Sequence, residues 1–126
     1  MRDRQAILQT VPGIGKVIAP VLLALMPELG HLDRKRAASL AGCAPHPRDS
    51  GTFKGRRFAA GGRRQLTPLL FVAAMAASHS NSHLAVIYRR LCAAGKSKLT
   101  ALGALMRHII VIANARLKEY ETTVYD

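Results

Sequence analysis

"LTALGALMRHIIVIANARL", residues 99–117, is apolar around most of a helical circumference. A helix with so little polar face must be enclosed, so the stretch predicts a helix over about 98–119 that is central in its domain or covered by a partner. Working outward, alanine, leucine and isoleucine dominate the chain and long alternating strand patterns are absent, which reads as mostly helical. Shorter helices are expected at about 3–9, 15–27, 33–42, 63–78 and 83–94. Asp33 is a good N-cap for "DRKRAASLAG" (33–42), which ends in glycine. The run "SHSNSH" (78–83) marks a break with ready caps. Residues 43–62 are irregular, with room for a short β-hairpin at "TFKGRRFAA".

The 126 residues make one domain, 1–126, long enough to bury a core, and 49% of them are hydrophobic. The charge is lopsided: 19 Lys and Arg against 7 Asp and Glu, formally +12, with a pI near 10.9. A globular domain this basic points to a polyanion partner, DNA or RNA by default. Cys43 and Cys92 are isolated, which fits a reducing, cytoplasmic setting and a role as small buried residues. The opening "MRDRQ" gives no expectation of a leader. Residues 66–88 carry no Lys, Arg, Asp or Glu. A membrane span needs about 20 apolar residues without interruption, and "SHSNSH" cuts this run in half, so no membrane association is expected.

Two motifs carry chemistry. The first is "VPGIGKVIA" (11–19), between two predicted helices. Val11 and Ile14 are spaced to anchor the turn, and Pro12 sets φ at its entry. Gly13 and Gly15 permit unusual backbone angles and leave no side chain to fend off a ligand. Backbone N–H groups at the start of the second helix then face a phosphate, with Lys16 adding charge. Ala19 is small where two helices cross. The stretch resembles a helix-hairpin-helix DNA-binding motif spanning about 3–27, which grips the phosphate backbone without reading sequence. The competing reading is a glycine-rich turn with no ligand. Pro20 is expected to kink the second helix or shorten its first turn.

The second is "HPRDSGTFKGRRFAAGGRR" (46–64), where Arg48, Lys54, Arg56, Arg57, Arg63 and Arg64 surround four glycines and one acid, Asp49. Such a loop suits a phosphate backbone, and Arg63 and Arg64 fall where a helix should begin. Cations there oppose the helix dipole unless an anion is bound. Phe53 and Phe58 suit pinning the loop to the core, or stacking on a base. Ser50, read alone, is a turn or cap residue. As a nucleophile it needs a base, and locally only His46 and Asp49 are offered.

In order along the chain come "VPGIG", "RKRAASLAGCAP", the basic "DSG…KGRR…GGRRQL" segment, an alanine-rich helix, "YRRL…AGKSK" and "MRHIIVIANARL". That series resembles the C-terminal domain of the IS110 group of insertion-sequence transposases (IS116/IS110/IS902-type, the DEDD transposases or bridge recombinases), over about residues 5–118. The resemblance implies that Ser50 attacks DNA and becomes covalently joined to a phosphate. It also implies a guide RNA partner and a divalent metal held in a separate RuvC-like acidic domain. The seven acids here (Asp3, Glu28, Asp33, Asp49, Glu119, Glu121, Asp126) form no ligand pattern, so no cofactor is expected in this chain. Where the family commonly has an arginine early in the next helix, this chain reads "QLTPLL" (65–70).

The expected architecture is therefore all-α: a helix-hairpin-helix at about 3–27, a Ser-Gly basic loop at about 43–62 and a helical remainder at about 63–119. The expected function is the DNA-binding, serine-bearing part of a transposase, not competent alone. The alternatives are a non-catalytic module for DNA or structured RNA, and an interaction domain forming homo-oligomers through its apolar helices. "GKS" (95–97) lacks the upstream glycine of a P-loop. His79 and His83 have metal-pair spacing but fall in the break. Ser39, Ser78, Ser80, Ser82 and Ser97 are rival serines suited to helix, cap or loop positions.

Overall fold

The computed structural model describes residues 2–40 and 65–125. Its described elements are all helical: α1 (Arg2–Leu8), α2 (Ile18–Leu25), α3 (Arg34–Leu40), α4 (Leu66–Ser78), α5 (His83–Ala93) and α6 (Lys98–Tyr125). The all-α expectation holds. The hairpin expected at 52–60 lies outside the described residues.

The apolar last helix is the centre of the fold, with α1, α3, α4 and α5 packed around it. Ala101, Leu105, Ile109, Ala113 and Leu117 recur every four residues and are fully buried. Met106, Ile110 and Asn114 make a second buried row beside them. Two adjacent rows on a 3.6-residue helix make a wide apolar face, which explains why the sequence looks apolar nearly all round. The segment Lys98–Thr122 meets the length and composition of a membrane span, and 44% of its window is buried within the fold. Its apolarity thus serves this core.

Local rules account for the helix ends. Asp33 Oδ1 accepts the Arg36 N–H at 2.7 Å, so the expected cap of α3 is in place. Ser97 Oγ accepts the Thr100 N–H at 3.1 Å ahead of α6. The helix expected from 15 starts at Ile18, which puts Pro20 in its first turn, where a missing N–H costs no intrahelical bond. After α4, Ser78 Oγ donates to Met75 O and Ser80 Oγ to Ala77 O, both at 2.7 Å. These bonds occupy the last carbonyls, and the chain turns by 90° between α4 and α5. The apolar run 66–88 is thereby two short helices.

The link from α2 to α3 is held by α6. Asn114, 3% exposed, accepts the Gly30 N–H at 2.7 Å and donates to Leu32 O at 2.7 Å. Gly30 has φ +103, and a Cβ there would lie 2.9 Å from Leu117 Cβ. Lys118 Nζ also donates to Leu32 O, at 3.0 Å. Arg4 of α1 pairs with Glu121 and donates to Leu29 O at 2.9 Å, closing the same corner.

Candidate nucleic-acid interface

The turn between α1 and α2 is pinned from three sides. Leu8, Val11 and Ile14 are buried in the core, Val11 and Ile14 as their spacing predicts. Arg116 Nη1 of α6 reaches across to Thr10, bonding its carbonyl at 2.6 Å and its hydroxyl at 2.8 Å. Ala19 is fully buried at the start of α2. These contacts present the turn as a rigid edge.

The two glycines of the turn have different surroundings. Gly13 has φ +94 and lies against α4: a Cβ would stand 2.2 Å from Ala73 O and 3.3 Å from Ala77 Cβ. The alanines at 73 and 77 are what let the turn come so close. Gly15 has open space where a Cβ would go. Lys16 beside it is exposed, and Val17 is 76% exposed.

The hydrogen bonds of this edge leave donors over. Ala19 N–H goes to Gly15 O at 3.0 Å, and Ile14 N–H to Val11 O at 3.0 Å. Among the described residues, the N–H groups of Gly15, Lys16, Val17 and Ile18 have no acceptor. Four successive donors at the start of the eight-residue α2, beside a lysine and with no side chain on Gly15, form an electropositive edge suited to an anion.

The second motif is elsewhere. Ser50, Arg48, Lys54, Arg56, Arg57, Arg63 and Arg64 lie outside the described residues, as do His46, Asp49, Phe53 and Phe58. Of the rival serines, Ser39 lies within α3, Ser78 ends α4 and Ser97 precedes α6. Ser80 and Ser82, in the bend, share a bond at 2.7 Å. His79 Nδ1 lies 3.0 Å from Met75 O, within its own helix end. Cys92 is half-buried with a free thiol, and Cys43 is outside the described residues. Among the described residues no three His, Cys, Asp or Glu side chains converge to hold a metal ion.

The structure adds a cationic cleft that no motif in the sequence announces. Arg34, Lys35 and Ala38 of α3 face Ala104, Arg107, His108 and Val111 of α6 across a cleft of about 380 Å³. Burial first, then His83, Arg107 and Arg34, lowers the His108 pKa from its ordinary value. The run "DRKR" (33–36) is a visible signal, but its partner Arg107 is over seventy residues away.

Comparison with known proteins bears on these surfaces. Residues 5–89 match the sequence model of the transposase IS116/IS110/IS902 family. The chain is 34% identical over 120 residues to the insertion element IS110 uncharacterized 43.6 kDa protein of Streptomyces coelicolor, covering 90% of this chain and 28% of that protein. It is 29% identical over 123 residues to the pilin gene-inverting protein of Moraxella bovis, covering 94% of this chain and 38% of that one. A third relative, the insertion element IS116 uncharacterized 44.8 kDa protein of Streptomyces clavuligerus, is 44% identical over 54 residues, 42% of this chain and 14% of the relative. The chain thus spans well under half the length of these relatives. No solved structure matches it.

Proposed function

The chain belongs to the transposase IS116/IS110/IS902 family, and from that membership we propose that it is the DNA-gripping, serine-bearing part of a recombinase that moves or inverts DNA segments. The observation that carries the DNA-binding half is the row of N–H groups from Gly15 to Ile18, which have no acceptor among the described residues, beside exposed Lys16. In this reading Gly13 and Ile14 hold the turn in shape, and Gly15 and Lys16 meet a backbone phosphate. Arg48, Lys54, Arg56, Arg57, Arg63 and Arg64 supply further phosphate contacts, which set position rather than sequence preference.

The chemical half rests on the resemblance at "DSG" (49–51). Ser50 Oγ attacks a phosphodiester: the Oγ–P bond forms, the bond from phosphorus to a deoxyribose oxygen breaks, and that oxygen leaves as a hydroxyl. The serine proton passes to a base. Arginines of the same segment would offset the charge that develops on the phosphate. The metal belongs to another part of the whole protein, so in this reading this chain alone joins no DNA. A guide RNA selects the DNA, and exposed apolar side chains such as Val72 and Met75 of α4 contribute to oligomer formation.

The test is a titration of labelled duplex DNA with this chain at several salt concentrations. Affinity should fall with salt on a log–log slope of about −0.9 per phosphate neutralised, with little dependence on sequence. A flat salt response, or no binding at low salt, overturns the proposal.

A further inference from the structure

The residues that line the cleft between α3 and α6 fall outside both the hairpin at about 3–27 and the Ser-Gly segment 46–64. Arg34 and Lys35 stand on one wall and Arg107 and His108 on the other, with Ala38, Ala104 and Val111 as the small apolar residues between them. Among the described residues no acid lines it. Asp33, the nearest acid in sequence, is engaged as the cap of α3.

Three other cations of the fold are engaged. Arg4 pairs with Glu121, Arg116 bonds Thr10, and Lys118 bonds Leu32 O. Arg34, Lys35 and Arg107 are exposed, and among the described residues no carboxylate pairs with them. Three like charges on facing walls repel one another, and no carboxylate among the described residues offsets them. An anion between the walls reverses the sign of the interaction. The cleft's 380 Å³ far exceeds the roughly 30 Å³ share of one water, so a hydrated phosphate group has room.

We infer that this cleft seats a backbone phosphate of duplex DNA, with the Arg34 and Arg107 guanidinium groups as its donors and Lys35 at its margin. The inference rests on the DNA-binding reading above but assigns a second, independent contact. His108 reports on it. With burial, His83, Arg107 and Arg34 all holding its pKa down, the ring favours its neutral form in the free protein. A phosphate in the cleft offsets the neighbouring charges, including Lys35, and raises that pKa.

The test compares the parent chain with an Arg34→Glu/Arg107→Glu variant and with Gly15→Val, using anisotropy of labelled duplex DNA over a salt series. The double variant should bind about tenfold more weakly at low salt, with a slope shallower by about 0.9 for each phosphate it no longer neutralises. Circular dichroism checks folding, and Arg34→Gln/Arg107→Gln serves if charge reversal perturbs it. In NMR titrations, duplex DNA should raise the His108 pKa in the parent and leave it unmoved in the double variant. A parent that binds DNA while the double variant keeps its affinity and slope overturns the cleft and leaves the hairpin reading standing. Loss of binding to an A-form RNA duplex with DNA affinity retained assigns the cleft to RNA and overturns the DNA seat. A parent that binds no DNA overturns both readings.

Discussion

Gly13 sits so close to α4 that a Cβ on it would lie 2.2 Å from the carbonyl oxygen of Ala73, whereas Gly15, two residues on, faces open space. One glycine is required by packing and the other is not. Gly13→Ala should therefore destabilise the fold, with about 1–3 kcal/mol from the positive φ and a further 1–3 kcal/mol or so from the clash. Gly15→Val should fold like the parent, because its Cβ meets nothing, and should weaken DNA binding by crowding the N–H row. Thermal unfolding and DNA titration of both variants separate the roles. A Gly15→Val protein that is folded and binds DNA at parental affinity would reduce the turn to a structural element.

Asn114 is the buried strap between α6 and the α2–α3 link. Asn114→Ala leaves the Gly30 N–H without its acceptor and removes one of two donors to Leu32 O, the other being Lys118 Nζ. At about 1–3 kcal/mol for a buried group left unpaired, the loss should be about 1–3 kcal/mol. Urea unfolding measures it, and a change under about 0.5 kcal/mol would show that water replaces the amide.

His108 makes stability depend on pH. Its folded pKa is lowered from 6.5, by burial first and then by His83, Arg107 and Arg34, with Lys35 also facing the cleft. Below 6.5 the unfolded chain takes up a proton that the folded chain refuses, so stability rises with pH there. The contribution is complete above 6.5 and is lost as pH falls through the folded value. His108→Gln should flatten the urea midpoint between about pH 7.5 and about pH 5. An unchanged pH dependence in the variant would place the titration on another group.

Ser50→Ala should leave folding and DNA affinity of this chain unchanged, since the proposed grip lies in backbone amides and cations. In the full-length protein the same change should abolish covalent attachment to DNA. Denaturing electrophoresis of full-length protein with labelled DNA and guide RNA reads the adduct directly. An adduct that survives the substitution moves the nucleophile elsewhere and leaves 46–64 as a grip.

Much of the fold was legible because it follows from short-range rules. Asp33 caps α3 through a bond three residues away, and Pro20 sits in the first turn of α2 because no intrahelical bond is lost there. The central position of α6 was legible from its breadth of apolar surface alone. Its true end, at Tyr125 rather than about 119, was not, because the polar last turns carry no such signal. For the candidate site, the turn 11–16 was recognisable from glycine spacing, but the unlike roles of Gly13 and Gly15 were invisible there. That difference depends on where Ala73 of α4 comes to rest.

The chain's own order of residues determined the helical class, the caps, the break at 79–82, the basic character and the family resemblance, all of which depend on neighbours within a turn or two or on motifs in series. Tertiary structure alone decided that Asn114 straps Gly30, that Arg116 braces Thr10, and that Arg34 and Arg107 share a cleft. Those pairs are separated by more than seventy residues, and their approach is set by the register in which α6 packs against the rest. Helical period specifies which face of a helix is buried, but not which residue on another element it will meet.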